Sequence, residues 1–554
     1  MAESDRTQGT PELVGPAVRE TLGIGALTLC GFLGEVCARF PDHEALVFDD
    51  PLRAGATTRW TYADLLTQSR RVAKALVAHG TEKGDFVGTL MSNRPEAVAA
   101  LFGTAMAGAV AVPLSTFATA HELDFLISDA DLRLVMFQTR MGKRNFADDL
   151  DSLTLPEELR LVALDSSDDP GNPASWEVFL DSGNEVREDH LTAICEDLEP
   201  HDLGLVIYSS GTTDKPKGAV HNHRAPTMQF WVQSQIFGRH ERTRLWTALP
   251  LFWTAGINTA LGSTLAAGGC VVMQEGFDAG VALMLMERER VTEPYTLPHQ
   301  AKALEQHPSW LRTDLSSLTS VYGKSVFTRH PSVNGDPNWL MPVGYGLSET
   351  CAFFAAHYSS APKEQLRESI GRLLPGNVLR VVDPDTDQIL GAGEQGELLI
   401  KGPTLMERYV GKTKAESLDA NGFFHTGDMG SFDADGFVHW TGRRTEMIKS
   451  AGANISPAEI EVQLRACQPV KLSRVIGVGE DPMNQTAILC LELKDGASAN
   501  EDDVRAFLKE RIASYKVPKQ ILFFEEGTIP MTASGTKVKD DALLTLVRAR
   551  LSQR

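Results

Sequence analysis

Tyr208-Ser209-Ser210-Gly211-Thr212-Thr213-Asp214-Lys215-Pro216-Lys217-Gly218 packs hydroxyls, two glycines and two lysines into one short stretch. That is the chemistry of a polyphosphate cradle, in which backbone amides and hydroxyls wrap phosphate oxygens and a lysine braces them. It is not a Walker A loop, which needs Lys-Ser/Thr directly after its last glycine. Here Gly218 is followed by Ala219. A Gly/Ser surface turn is the plain alternative, but hydroxyls, glycines and lysines rarely coincide so densely in one. Asp214 puts an acid in the middle of this anion site. It is compatible with a bound anion if it points outward or pairs with Lys215.

Two later stretches carry complementary chemistry. Gly344-Tyr345-Gly346-Leu347-Ser348-Glu349-Thr350 brings a carboxylate of the kind that holds a hard cation between phosphates. Phe423-Phe-His-Thr-Gly-Asp428 brings a carboxylate that can accept two vicinal hydroxyls. Singly, each reads as a turn with polar residues. In this order they resemble the adenylate-forming superfamily, and the acyl-CoA synthetase branch in particular.

The resemblance implies ATP, Mg²⁺ and CoA, with acyl-AMP as the intermediate. Ser209, Ser210, Gly211, Thr212, Thr213 and Lys217 would hold the triphosphate. Tyr345 and Gly346 would pack on adenine, and Asp428 and Arg443 would reach the ribose. Ser348 would help hold the phosphate or carboxylate, and Glu349 with Thr212 would bind the metal. Gly452, in Ser450-Ala-Gly-Ala-Asn-Ile-Ser-Pro-Ala-Glu-Ile-Glu461, would let a pantetheine arm pass close to the backbone, which a side chain would block. Ser456, Pro457 and Glu459 there read only as a helix start. The C-terminal stretch Ile529-Pro-Met-Thr-Ala-Ser-Gly-Thr-Lys-Val-Lys539 resembles the family's catalytic lysine motif, with Lys537 as first candidate and Lys539 as the fallback.

Departures from the pattern bear on the substrate. Pro250-Leu-Phe-Trp-Thr-Ala-Gly256 has Trp253 where the family often has His or another aromatic residue. Trp253 reads as a gate and wall of the acyl pocket or as a core tryptophan. With Gly344 and Ser325 it makes up the expected acyl and thiol pocket. Lys324, beside Ser325, faces solvent or pairs with an acidic substrate. Thr445 stands at the expected interdomain hinge, where Asp or Lys is usual. No aspartate in the Trp253 segment is placed to pair with a substrate ammonium. The favoured activity is therefore CoA ligation of an apolar fatty, aryl or cyclic acid. The alternatives are an adenylate former with another acceptor (an amine, a carrier-protein thiol or oxygen) and a non-catalytic nucleotide-binding relative.

These residues need elements to hold them. Thr61 and Asp64 read as a capping box for a helix whose apolar face is Leu65, Leu66, Val72, Ala73, Leu76 and Val77, ended by Gly80. A strand over 85–91, a helix over 95–106 and a strand over 109–114 continue a β-α-β rhythm that predicts parallel sheets. Beyond residue 440 the texture changes to a module with helices at 457–467 and 501–512 and strands at 475–479 and 487–493. The expected fold is a large multi-subdomain N-terminal α/β body over 1–443, with a disordered tail at 1–20. A small mobile α+β domain over 444–554 follows it.

The composition, 42% hydrophobic and 23% charged, suits a globular protein. The net charge of −20 argues against a nucleic-acid binder, and it sits in the body because residues 444–554 are nearly balanced. Seven cysteines without CxxC spacing read as a reducing, cytoplasmic setting without a disulfide frame or zinc site. The polar N-terminus shows no signal peptide. The charge-free stretches 97–120 and 245–274 are broken by Gly and Pro and read as buried helix and strand, so no membrane span is expected. The expected partners are a small-molecule carboxylate and CoA, and a homodimer is the assembly to test.

Overall fold

The computed structural model describes residues 12–165, 174–209, 215–323, 325–336, 338–362, 369–384, 386–443, 448–450, 453–455, 457–479, 481, 484–531 and 538–552. The chain divides into two compact units. One consists of Met1–Thr116, Ile127–Tyr208 and Gly218–Gly442, the other of Phe117–Leu126, Ser209–Lys217 and Arg443–Arg554. Of the expected site residues, Ser210, Gly211, Thr212, Thr213, Asp214, Lys324, Thr445, Gly452 and Lys537 lie outside the described residues.

The first unit is built on an eight-stranded sheet in which Phe86–Leu90, Val110–Pro113 and Leu203–Ser209 run parallel as neighbours. Helix Tyr62–Ala78 begins with the expected capping box, Thr61 Oγ1 accepting from the Asp64 amide at 3.1 Å and Asp64 accepting from the Thr61 amide at 2.9 Å. Helix Pro95–Met106 is buried at every residue, which explains its apolar character all round. It packs with helices Leu29–Arg39 and Tyr62–Ala78 into one core. A parallel sheet of this kind presents ligands at the carboxyl ends of its strands. The hydroxyl-rich loop leaves the carboxyl end of Leu203–Ser209, a strand flanked on both sides within the sheet.

A second, five-stranded sheet holds Arg244–Thr247 and Cys270–Met273 in parallel, with Glu44–Asp50 beside them. The apolar run between its first two strands is not an ordinary helix. It forms a π-helical turn over Ala255–Gly262 followed by Ser263–Ala266. π-turns are rare and gather at functional sites. No helix among the described residues is long and apolar enough to cross a membrane.

Two features depart from expectation. Glu12–Val14, within the expected tail, pairs antiparallel with Val378–Val382, and Arg380 bonds Glu12 across the pair. A short strand with one cross-strand ion pair is enough to fix this part of the N-terminus. That pair belongs to an unforeseen antiparallel sheet, in which Gly396–Lys401, Phe424–Phe432 and Val438–Arg443 follow.

In the second unit, helix Pro457–Arg465 and helix Glu501–Lys509 pack on the sheet of Val470–Val478, Thr486–Leu493 and Gln520–Phe524. Ser456, the expected cap, lies outside the described residues, whereas Glu459 sits in the first turn of helix Pro457–Arg465. Its carboxylate is buried and accepts from Lys516 Nζ at 2.7 Å.

Candidate active site

Two β-bulges put the expected nucleotide residues together. In the sheet that carries Asp428, Glu397 faces Met429 and Leu399 faces His425, so Thr426, Gly427 and Asp428 bulge out of the ladder. Thr426 Oγ1 donates to the Leu398 carbonyl at 2.7 Å, and the Gly427 amide donates to Glu397 at 3.0 Å. Gly427 adopts φ +68°, the left-handed region that favours glycine. The second bulge lies in the hairpin of Gly344–Leu347 and Ala352–Ala356, where the register shifts between Tyr345 and Gly346. A Cβ on Gly346 would sit 1.6 Å from the Ala352 carbonyl oxygen, so only glycine fits there. The two bulges meet where Tyr345 Oη donates to Asp428 at 2.8 Å.

The turn that follows is strained. Ser348–Thr350 is one 3₁₀ turn, and the next two residues, Cys351 at φ +60° and Ala352 at φ +147°, are left-handed without being glycine. Such residues cost on the order of 1–3 kcal/mol each and persist only where the surroundings fix them. Here a set of buried side chains does so by donating to the turn's carbonyls. His221 Nε2 donates to Ser348 O at 2.8 Å, and Gln229 Nε2 to Thr350 O at 3.0 Å and Phe353 O at 2.6 Å. Thr350 Oγ1 donates to Ala352 O at 2.8 Å, and Asn258 Nδ2, from the π-helical turn, to Cys351 O. The same turn carries Glu349, whose carboxylate accepts from Tyr409 Oη at 2.7 Å. Tyr409 lies on the strand Arg408–Tyr409, paired with Lys217–Asn222 just after the hydroxyl-rich loop.

His221, Gln229, Asn258 and Tyr409 were not foreseen. Gln229 and Asn258 left a signal, since amides inside buried apolar helices need a polar partner. His221 is fully buried and burial lowers its pKa to about 4. His223, also buried, is lowered to about 4 for the same reason. Both are neutral in the fold, so between about 6.5 and 4 the unfolded chain takes up protons that the native one does not. Their contribution is complete above pH 6.5 and is lost as pH falls toward 4. The urea midpoint should therefore drop from pH 7 to pH 5. His221→Gln, which keeps a donor for Ser348 O without titrating, should reduce that drop. An unchanged drop would mean that His221 does not titrate as a buried neutral group.

Other expected residues take varied positions. Lys217 is half-buried on its strand, and Lys215 places its ammonium 5.0 Å from the centre of the Phe125 ring. Ser209 ends the strand Leu203–Ser209. A Cβ on Gly344 would lie 2.9 Å from the Phe353 ring. Ser325 caps the 3₁₀ turn Val326–Arg329 by accepting from the Phe327 amide, a role in structure. Arg443 ends the strand Val438–Arg443.

Trp253 is half-buried rather than part of the core, with its ring 5.8 Å from Phe252 at 77°. It follows a tight fold in which a Cβ on Gly256 would lie 1.9 Å from the Pro250 carbonyl oxygen. Its neighbours Leu251 and Phe252 line a small apolar cavity of about 20 Å³ with Met91, Leu101, Ile257 and Leu261, among others.

The model of the AMP-binding enzyme family matches residues 33–410, and that of the AMP-binding enzyme C-terminal domain matches residues 459–536. The chain belongs to the AMP-binding enzyme family. This AMP-binding enzyme is 31% identical to indoleacetate–CoA ligase of Aromatoleum aromaticum, over 93% of this chain and 96% of the relative. It is 31% identical to feruloyl-CoA synthase of an Amycolatopsis species, over 91% and 96%. Among solved structures it resembles the amide bond synthetase McbA of Marinactinospora thermotolerans, with a TM-score of 0.74 and 26% identity over 93% of this chain and 99% of that one. Relatives so named make this AMP-binding enzyme an AMP-forming acid–thiol ligase.

Proposed function

We propose that this AMP-forming acid–thiol ligase activates an apolar carboxylic acid that carries an aromatic ring. In the first half-reaction the carboxylate attacks the α-phosphorus of ATP, forming acyl-AMP and expelling pyrophosphate. In the second, the CoA thiol attacks the acyl carbonyl, and AMP leaves with the phosphate oxygen. The observation that carries the reading is similarity across nearly the whole chain to ligases of indoleacetate and ferulate.

Ser209, Ser210, Gly211, Thr212, Thr213 and Lys217 cradle the triphosphate, and Tyr345 and Gly346 receive the adenine. Asp428 and Arg443 take the ribose hydroxyls, Asp428 exchanging the Tyr345 hydroxyl for them. The Glu349 carboxylate, one oxygen already bonded to Tyr409, is a hard donor of the kind Mg²⁺ requires. When bound there with Thr212, Mg²⁺ neutralises phosphate charge. Ser348 orients the reacting groups, and Lys537 stabilises charge that builds between carboxylate and α-phosphate. Trp253, Gly344 and Ser325 border the acyl group, and Gly452 lines the path of the pantetheine arm. Residues 444–554 rotate about Thr445 between the half-reactions, and such motion often limits turnover. A cytoplasmic homodimer completes the proposal.

Pyrophosphate release across a panel of carboxylic acids tests the substrate class. Arylacetic and arylpropenoic acids should give the highest kcat/KM, and a clear preference for long-chain alkanoic acids would overturn it. Resemblance to an amide bond synthetase supports a second reading, transfer of the acyl group to an amine. AMP release that depends on an amine and not on CoA would favour it.

A further inference from the structure

A cleft of about 250 Å³ in the first unit, separate from the residues above, is lined by Cys30, Gly31, Gly34, Arg70, Glu188 and Cys195 among others. Cys30 lies in the first turn of helix Leu29–Arg39, and Cys195 in helix Glu188–Asp197. Cys30 Sγ donates to the Cys195 carbonyl oxygen at 3.7 Å, and Cys195 Sγ, on the same cleft, donates to the Met106 carbonyl oxygen at 3.6 Å. A Cβ on Gly34 would meet nothing within 4 Å, so the cleft stays open beside the sulfurs. Arg70 and Lys74 both pair with Glu188 at its edge, Lys74 at 2.9 Å.

Their surroundings make the two sulfurs unequal. The neighbouring Cys195 side chain lowers the Cys30 pKa to about 7. Burial opposes this, and the Thr28 hydroxyl, 3.4 Å away, together with the Gly31 amide supports it. Cys195 is pushed the other way by the negative sulfur beside it and by burial. Such a pair has the form of a reactive thiolate with a resolving partner. All seven cysteines are free; Cys30 is buried like the other five, and Cys195 is half-buried.

The geometry points to Cys30 and Cys195 as a dithiol modification site that a small peroxide oxidises to a disulfide within this cleft. The Cys30 thiolate attacks one peroxide oxygen and breaks the O–O bond, giving a sulfenic acid while the leaving hydroxide takes up a proton to become water. The Cys195 sulfur then displaces hydroxide from the Cys30 sulfur, and its own proton leaves with that hydroxide as a second water. Two thiols lose two electrons and two protons, and the peroxide is reduced. The new bond clips helix Leu29–Arg39 to helix Glu188–Asp197.

The test treats the full chain with hydrogen peroxide, then counts thiols under denaturing conditions and maps the linked peptides. The expected result is a loss of two thiols, recovered with dithiothreitol, and one cross-linked peptide pair joining Cys30 to Cys195. Cys195→Ser should leave a sulfenic acid on Cys30 that a cyclic 1,3-dione traps. Cys30→Ser should leave Cys195 as a free thiol. Loss of no thiols, linkage through other cysteines, or a Cys30 oxidised without linkage in the unsubstituted chain would each overturn the proposal.

Discussion

Lys537→Ala is expected to slow acyl-AMP formation by roughly 10²–10³, the usual effect of removing one donor aimed at developing transition-state charge. Thioester formation from supplied acyl-AMP should change little, because the carboxylate–phosphate bond is already made before that step. The two rates come from carboxylate-dependent pyrophosphate release and from conversion of synthetic acyl-AMP to acyl-CoA. Lys539 is the necessary control. Its backbone amide donates to the Pro530 carbonyl at 2.8 Å and its side chain is exposed, as a solvated lysine's is. Lys539→Ala should therefore leave adenylation nearly intact. Equal losses in both half-reactions for Lys537→Ala, or a larger loss for Lys539→Ala, would move the role elsewhere.

Glu349→Gln should give the second large effect, a fall in adenylation of about 10² with a raised Mg²⁺ requirement. Loss of metal-assisted charge stabilisation is worth several kcal/mol, and about 1.4 kcal/mol corresponds to a tenfold rate change. The amide keeps an oxygen for Tyr409 Oη, so the turn and its 2.7 Å contact are retained. The substitution removes charge and leaves shape. Tyr409→Phe separates the positioning role from the charge. It removes one hydrogen bond to a carboxylate, worth about 1.5–3 kcal/mol, and should cost roughly tenfold in kcat/KM for ATP. A Glu349→Gln enzyme with normal Mg²⁺ dependence would show that another residue holds the cation.

Local chemistry was readable in the sequence, and distant chemistry was not. Helix Tyr62–Ala78 was legible because its cap and its apolar repeat both lie within a few turns. Helix Pro95–Met106 was legible because the run after Glu96, alanine-rich and uncharged up to Gly108, reads as buried. The segment 245–274 misled, since an apolar run does not distinguish an α-helix from the π-helical turn seen at Ala255–Gly262. The antiparallel sheet through Val378–Val382 was missed because its pairing crosses from residue 12 to residue 443, and no turn signal announces that.

At the candidate site the same division holds. Tyr345, Glu349 and Asp428 stand in motifs, and the contact between Tyr345 and Asp428 brings two of those motifs together. His221 and Tyr409 belong to no motif that was read, and they act through partners 127 and 60 residues away. The left-handed residues Cys351 and Ala352 could not be read either. Nothing in a cysteine or an alanine signals positive φ, and only the ring of donors around them reveals what holds the turn.

The most direct test of the whole account is a single-turnover experiment with ATP and an arylacetic acid, followed by addition of CoA. Without CoA, acyl-AMP should accumulate on the enzyme in step with pyrophosphate. On adding CoA it should be consumed with matching amounts of acyl-CoA and AMP. Acyl-AMP that survives CoA, and is consumed only by an amine, would contradict the acid–thiol ligase assignment.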